Sequence, residues 1–527
     1  MRLVFDRVET RCRRGAVTVD VENTDGIALS WSLLNDGRTA AEVESVAAVW
    51  RLVDVREPVR MFRHGYQSWS PSGWATFGVD ADPSRTPGAI PLVIDMHHAD
   101  PAIAQPDELR SELVTVLDDG SNDPPLVVGF LGGTEHDGTF RLRHGAAGAQ
   151  GLELWAEAFF GGAFVERGNV RRLHSVESWQ VDDDVRRPLD WWASAIGEAM
   201  DARTAAPYQV GWCSWYHYFQ NVTQHALESN LALASTWPFE VFQLDDGFQP
   251  AIGDWLTTND SFESSLDELA ARIAGAGLVP GLWLAPFLAA PGSTVAGRHP
   301  EWLAGHASGR PLVGMVNDHW GGAVHTLDTT QTEVLDHLEQ VARELVAAGF
   351  RYLKLDFTYA PGLDGHFADP GRTPAERVRA GFDAIRRGAG DDVFILGCGA
   401  PLGACIGAVD GMRIGPDVAP WWELPAESWS PPGYRATSPA TAHAVAATRS
   451  RQFMHRRLWL NDPDCVMLRT QETAMTPDQA YRWAAIVGES GGMTLVSDDL
   501  ALLGTQERAL LDEVIALGRA NDEPFGG

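Results

Sequence analysis

The stretch Tyr352-Leu353-Lys354-Leu355-Asp356-Phe357 reads as a short strand that ends in charge. Successive side chains on a strand point to opposite faces, so Lys354 and Asp356, two residues apart, share one face. Seven further runs have the same strand character: Gln209 to Trp215, Glu240 to Asp245, Val279 to Ala285, Val393 to Cys398, Met412 to Asp417, Leu458 to Asp462 and Met493 to Ser497. Amphipathic helical stretches such as Ser264 to Ala274 and Thr332 to Ala348 lie between them. Eight strands alternating with helices over about 300 residues is the count and size of a (β/α)8 barrel.

Nearly every one of these strands closes on polar residues that a barrel core could not hold. The clusters are Cys213-Ser-Trp-Tyr-His, Asp245-Asp246-Gly, Trp283-Leu-Ala-Pro, Lys354-Leu-Asp356, Gly397-Cys-Gly, Arg413 to Asp417 and Asn461-Asp-Pro-Asp. Strand C-termini converge on one face of a barrel, where active sites lie, so these residues are expected to meet in one pocket. The helix Thr505 to Leu517 would close the barrel.

Upstream, to about residue 180, the rhythm is different. Runs such as Ala16-Val-Thr-Val-Asp-Val-Glu and Ile27-Ala-Leu-Ser-Trp-Ser-Leu alternate apolar and polar residues, separated by Asp25-Gly26 and Asn35-Asp36-Gly37. These are strand and hairpin signals, and many short strands with frequent turns imply an antiparallel sandwich. The acidic Asp182-Asp183-Asp184, then Pro188 and a helix over about 189–203, mark the passage to the barrel. The expected organisation is a β-sandwich over 1–185, a catalytic barrel over 186–520 and a tail over 521–527.

The 527 residues are 45% hydrophobic and 21% charged, enough for two to four domains with their own cores. With 41 basic against 71 acidic residues the net charge is −30, which disfavours phosphate backbones and anionic membrane surfaces as partners. No uninterrupted apolar run is long enough for a spanning helix, and Met1-Arg-Leu-Val-Phe-Asp lacks the apolar region of a signal peptide, so the expectation is a cytoplasmic protein. Five scattered cysteines without a Cys-x-x-Cys pair encode neither a disulfide framework nor a zinc site.

The basic inventory is 40 arginines and one lysine, Lys354. An ion pair that served only structure could have used arginine, as the rest of the chain does. A compact ammonium that keeps Asp356 ionised and reaches a ligand hydroxyl accounts better for the exception, and an ionised Asp356 suits a nucleophile. In Gly411-Met-Arg-Ile-Gly-Pro-Asp-Val-Ala-Pro-Trp-Trp422, Asp417 could cap a turn. Paired with Asp356 it supplies the second carboxylate of a glycosidase, and an aromatic surround would raise its pKa as a general acid requires. Asp245 and Asp246 could cap a helix or could capture neighbouring sugar hydroxyls. Trp69, Trp215 and Trp283 singly read as core, but 20 tryptophans around a carboxylate-rich barrel mouth point to carbohydrate, whose C–H faces pack on indole.

At these residues the chain resembles the family 36 glycoside hydrolases, the α-galactosidases and their relatives. The matching motifs are His64-Gly-Tyr-Gln-Ser-Trp69, Gly211-Trp-Cys-Ser-Trp215, Gln243-Leu-Asp-Asp-Gly-Phe248, Gly281-Leu-Trp-Leu-Ala-Pro286, Leu353-Lys-Leu-Asp-Phe357, Gly397-Cys-Gly and Gly411-Met-Arg-Ile-Gly-Pro-Asp417, in consistent order over about residues 60 to 470. The resemblance implies an N-terminal β-supersandwich, a catalytic barrel, and hydrolysis of terminal α-D-galactosyl residues by a retaining double displacement. It implies Asp356 as nucleophile and Asp417 as acid/base. It also implies Asp245 and Asp246 on the 4- and 6-hydroxyls, Lys354 on hydroxyls beside the nucleophile, and Cys398 and Arg413 near the 2-hydroxyl. Trp283 would lie under the ring, with Trp215 lining the site and Trp69 reaching in from the sandwich.

Family members usually carry a C-terminal β-domain, for which this chain leaves little room. No metal or organic cofactor is expected, because two carboxylates suffice. The expected partner is a small α-galactoside or oligosaccharide, and a homo-oligomer is compatible with the sequence. Galactosyl transfer to a sugar acceptor and hydrolysis of an α-N-acetylgalactosaminide are the alternatives within the family, although a 2-acetamido group should clash at Cys398 and Arg413. A non-catalytic carbohydrate-binding protein would be expected to have lost Asp356 or Asp417, and both are present.

Overall fold

The structure, a computed structural model, describes residues 1–24, 28–80, 108–145, 151–180, 188–426 and 438–523. Its first part is two antiparallel sheets facing each other. One has five strands in the order Arg2–Arg14, Ala41–Val53, Leu152–Val165, Asp137–His144, Leu109–Glu112. The other has eight strands among the described residues and runs from Val170–Arg172 through Ala28–Leu34, Val176–Gln180, Leu126–Phe130, Val114–Asp118 and Arg60–Arg63 to Gly73–Thr76, with Thr18–Thr24 beside Ala28–Leu34. The period-2 pattern does the sorting. In Ala28–Leu34, Leu29, Trp31 and Leu33 are buried, and they join Phe130, Phe140 and Leu154 in the core between the sheets.

Thr18–Thr24 and Ala28–Leu34 pair as the expected hairpin, Thr24 opposite Ala28; the Asp25-Gly26 turn and the acidic residues 182–184 lie outside the described residues. Asn35-Asp36-Gly37 is not a hairpin turn. It carries the chain from one sheet to the other, because the buried Asn35 amide donates to Thr39 O at 3.0 Å and Val165 O at 2.7 Å and so fastens the crossover.

The second part is a parallel barrel of eight short strands: Val210–Cys213 (β1), Val241–Leu244 (β2), Val279–Leu284 (β3), Tyr352–Leu355 (β4), Phe394–Gly397 (β5), Gly411–Arg413 (β6), Leu460–Asp462 (β7) and Thr494–Val496 (β8). They run 7-6-5-4-3-2-1-8 in one sheet. The remaining gap is drawn together by a Val466–Val496 bridge and by Met493 N–H donating to Asn461 O at 3.0 Å. All eight strands anticipated from sequence are present, and most stop before their polar ends. Strand β6 ends at Arg413, not Asp417, because Pro416 has no N–H for the ladder. Strand β4 ends at Leu355, where Phe357 turns to φ +53.

One element was not anticipated: a three-stranded sheet of Leu288–Ala289, Val313–Asn317 and Gly322–Thr326, inserted between β3 and the helix Thr332–Ala348. The closing helix runs over Thr505–Asp522, past Leu517, because Asp522 accepts from Arg456 Nε at 2.6 Å and pairs with His455 at 2.9 Å.

The two parts share a core. Val114, Val116 and Val127 of the sandwich pack in one cluster with barrel residues such as Val210 and Trp212. The helix Pro188–Ala199 crosses between them, its buried Trp192 donating to Phe130 O at 2.9 Å. A cavity of about 620 Å³ at the far end of the barrel is lined by the strand starts Val279, Tyr352 and Phe394 and by Arg203, which pairs with Asp391 and Asp410.

Helix Pro374–Ala389 lies so close on Thr332–Ala348 that a Cβ added at Gly388 would sit 2.0 Å from Glu339 O, whereas one added at Gly275 would meet nothing within 4 Å. Alanine is the better helix former by about 1 kcal/mol. We therefore expect Gly275→Ala to leave stability unchanged or raised, and Gly388→Ala to lower it by roughly 1–3 kcal/mol because the clash outweighs propensity; urea midpoints of the two variants decide.

Candidate active site

Two groups of charged side chains occupy the C-terminal mouth of the barrel. The first is built on β2, β3 and β4. Lys354, buried, donates from Nζ to Asp245 Oδ2 at 2.9 Å and stands 4.0 Å from Asp356 Oδ2. The sequence reading put the lysine beside Asp356; its shorter contact is to Asp245. Burial works against the ammonium, but Asp245 and Asp356 outweigh it and hold the pKa of Lys354 well above its ordinary value. Asp356 accepts two N–H donors: Trp283 Nε1 to Oδ2 at 3.1 Å, and its own neighbour Phe357 N to Oδ1 at 2.8 Å. Trp283, expected under a sugar ring, is thus also tied to Asp356 through its indole edge.

Asp245 is held further by Gln243 Nε2 at 2.5 Å, with Cys213 Sγ 3.5 Å away, and its backbone N–H donates to Ser214 Oγ at 2.9 Å. The next carboxyl, Asp246, accepts from Gln249 Nε2 and from Trp320 Nε1 at 2.9 Å. Burial pushes its pKa up to about 6, with Asp245 and Asp356 adding to the rise and the two donors opposing it. Trp320 sits at the tip of the inserted sheet, 6.1 Å from the Trp283 ring and 4.9 Å from Phe357. Sequence reasoning missed it. The signal was Gly321-Gly322, both at positive φ between two strand-like runs, which mark a hairpin turn directly after Trp320.

The second group gathers on β6 and β7 around Arg413. Its guanidinium binds three carboxylates: Asp462 Oδ2 from Nε at 2.9 Å, Asp464 Oδ1 from Nη2 at 2.9 Å and Asp417 Oδ1 from Nη1 at 3.1 Å. Asp462 and Asp464 belong to a strand end read as polar but given no role from sequence. Asp417 leaves about a third of its side chain (33%) open to the cleft. Dense surroundings and then the charge of Asp464 push its pKa up to about 7, Arg413 opposing, with Asp356 adding to the rise. Asp356 and Asp417 therefore sense one another across the mouth.

The remaining candidates border these groups. Cys398, buried at the end of β5, is kept a thiol by burial and by Asp356. Its N–H reaches Leu355 O at 2.8 Å, beside the Lys354–Asp356 segment. Trp215 is half-buried at the start of the short helix Trp215–Tyr218 after β1, edge-on to Phe219 at 5.3 Å. Trp69 comes from the sandwich, in the loop His64–Trp69, which pairs with the segment after β5: Ser68 N donates to Ala400 O at 3.1 Å and Leu402 N to Tyr66 O at 3.1 Å. The Trp69 ring stands 5.2 Å from Phe357, and Gly399, at φ +51, leaves room for it, since a Cβ there would sit 2.8 Å from the indole. Arg451, fully buried, pins this loop by donating to Ser68 O, Gly65 O and Gln67 O as well as to Ile414 O beside β6. Among the described residues no group of three or more His, Cys, Asp or Glu side chains is arranged to hold a metal ion.

With this geometry in place, comparison with known proteins is informative. A family model described as Melibiase matches residues 210–360, the strands β1 to β4 with Asp245, Asp246, Lys354 and Asp356. TtGalA, an α-galactosidase from Thermus thermophilus solved with p-nitrophenyl α-D-galactopyranoside, superposes with a TM-score of 0.71 at 27% identity, over 95% of this chain and 94% of that one. These similarities support an assignment to the α-galactosidases of glycoside hydrolase family 36. The family 36 α-galactosidase AgaA from Geobacillus stearothermophilus shares the fold, with a TM-score of 0.62 over 98% of this chain and 74% of that one at 13% identity. In sequence AgaA is 26% identical over 176 residues, and the match spans only 22% of its length. A probable α-galactosidase C from Aspergillus oryzae is 25% identical over 164 residues, 20% of its length.

Within this site, Lys354 is the cation that lies between Asp245 and Asp356. Removing one partner of a buried ion pair leaves the other uncompensated. Lys354→Met is expected to destabilise the fold by roughly 3–5 kcal/mol at neutral pH, and the loss should shrink as pH falls, because a buried carboxylate left without its cation takes up a proton. Chemical denaturation at pH 5 and pH 7.5 checks both the size and the direction.

Proposed function

We propose that the protein is a retaining α-galactosidase that hydrolyses terminal α-D-galactosyl residues by double displacement. The observation that carries this reading is the opposite surroundings of two carboxyls at one barrel mouth. Asp356 is met by two N–H donors and an ammonium 4.0 Å away, the environment of an anion, while Asp417 has its pKa raised to about 7. Two carboxyls in such unequal surroundings divide naturally into nucleophile and acid. The bound p-nitrophenyl α-galactoside and stachyose in the two TtGalA complexes support a galactoside as the ligand class.

In the first step Asp356 attacks the anomeric carbon as the bond to the glycosidic oxygen breaks, and Asp417 gives its proton to that oxygen. A β-galactosyl ester on Asp356 results. In the second step Asp417, now a carboxylate, takes a proton from water as the water oxygen attacks the anomeric carbon, which returns Asp356 as a carboxylate and releases α-galactose. Asp245, Asp246, Lys354 and Arg413 are the groups that would hold the sugar hydroxyls, with Trp283, Trp215 and Trp69 as apolar walls and Cys398 beside the nucleophile. An acetamido group in place of the 2-hydroxyl would have to enter the space between Cys398 and Arg413.

A panel of nitrophenyl glycosides tests the substrate: release is expected from the α-galactoside and not from the β-galactoside, α-glucoside or α-N-acetylgalactosaminide. Proton NMR of the earliest product tests the stereochemistry. α-Galactose should appear first, with the β anomer growing in by mutarotation; initial β-galactose would overturn the two-step mechanism.

The raised pKa of Asp417 sets the pH dependence. A carboxyl with a pKa of about 7 carries its proton below that pH and loses it above, so the acid is present on the acidic side. For a substrate with a basic leaving group, such as a disaccharide, kcat/KM should fall as pH rises through about 7. Asp417→Ala should cripple the disaccharide while sparing a dinitrophenyl galactoside, whose leaving group needs no proton. Equal losses on the two substrates would show that Asp417 positions substrate and does not donate.

A further inference from the structure

The acid Asp417 and its neighbour Asp464 hang on the same guanidinium but are satisfied very differently. Asp464 is fully buried and accepts from three donors, the Tyr216 hydroxyl, Val418 N at 2.9 Å and Cys465 N at 2.7 Å, and forms an ion pair with Arg413 Nη2 at 2.9 Å. The residue is held at φ +92, a conformation that an aspartate adopts only when its surroundings fix it. Among the described residues Asp417 has the single donor Arg413 Nη1, and it opens to the cleft. One cation, Arg413, thus serves Asp417, Asp462 and Asp464 together. Two buried carboxylates and a third at the cleft on one guanidinium are too much negative charge to leave unprotonated at low cost, and the proton should go to the carboxyl with fewest donors.

We propose that Asp464 is a positioning residue that keeps the proton on Asp417, acting as a fixed anion behind Arg413 while its contact to Val418 N holds the backbone that carries Asp417. This rests on Asp417 being the general acid. The groups that face the pair come from every side of the mouth. Asp417 feels Asp464, Arg413, Asp356, Lys354, Tyr216 and Cys398. Asp464 feels Arg413 from β6, Asp462 from β7, Lys354 from β4, Cys465 beside it and the Tyr216 hydroxyl from the short helix after β1. While burial raises the pKa of Asp464, Arg413 and the Tyr216 hydroxyl oppose the rise. Asp464 ranks ahead of Asp356 in raising the pKa of Asp417, which agrees with the geometry.

The position of the alkaline limb of kcat/KM on a galactoside with a basic leaving group is the readout. Asp464→Asn removes the like charge, so the limb should move down by about one pH unit or more. A merely structural role would lower the rate by the same factor at every pH and leave the limb in place, and that result in a folded variant overturns the proposal. Tyr216→Phe takes one donor from Asp464, makes it a competitor for the proton and should move the limb in the same direction by less; should Asp464→Asn fail to fold, an unmoved limb in Tyr216→Phe overturns the proposal by itself. The underlying reading fails separately. A limb that persists unchanged in Asp417→Asn would show that Asp417 is not the titrating acid, and this proposal would fall with it.

Discussion

The mouth of this barrel contains more negative charge than its cations can neutralise. Asp245, Asp246, Asp356, Asp417, Asp462 and Asp464 stand around Lys354 and Arg413. Carboxylates removed from water must find donors or take up protons, and the local structure is arranged around that need. Two indole N–H groups, from Trp283 and Trp320, point at Asp356 and Asp246. Left-handed backbone at Phe357 and Asp464 occurs beside backbone N–H groups aimed at carboxylates. At Asp246 and Asp417 burial raises the pKa, to about 6 and about 7, against the donors each has. The chemistry proposed for the site follows from this unequal distribution of donors.

The same mouth depends on a second domain. The loop His64–Trp69 belongs to the sandwich, yet its backbone pairs with the segment after β5 and its carbonyls hold Arg451, whose other carbonyl partner, Ile414, adjoins Arg413. Arg451 has only carbonyl partners in those contacts, and burial pulls its pKa down to about 9. Breaking the guanidinium away would leave several buried carbonyls unpaired, which makes the contact specific as well as strong. With the shared core of Val114, Val116, Val127 and Trp192 beneath it, the sandwich holds Trp69 at a fixed distance from Phe357, the residue next to Asp356.

Much of this was open to reading from the chain alone. Strand parity placed Lys354 and Asp356 on one face, and the eight βα units gave the barrel, because both depend on local periodicity that the backbone cannot evade. The lone lysine marked a position where a guanidinium had not been used. The hairpin assigned to Asn35-Asp36-Gly37 was wrong for a reason no local pattern contains: the Asn35 amide finds Val165 O, 130 residues away. Trp320 was passed over because a tryptophan in a surface insertion looks like any other until the insertion folds back onto Asp246.

By itself, then, the sequence determined which residues could meet at the mouth, since side-chain chemistry and strand ends are written locally. Only the tertiary structure decided how they divide the available donors. It paired Lys354 more closely with Asp245 than with Asp356, gave Asp464 three donors and Asp417 one, and set three carboxylates on a single arginine. Those assignments turn on differences of about an ångström between groups far apart in sequence, and at such distances inside a protein the charge of one carboxylate changes the protonation of the next.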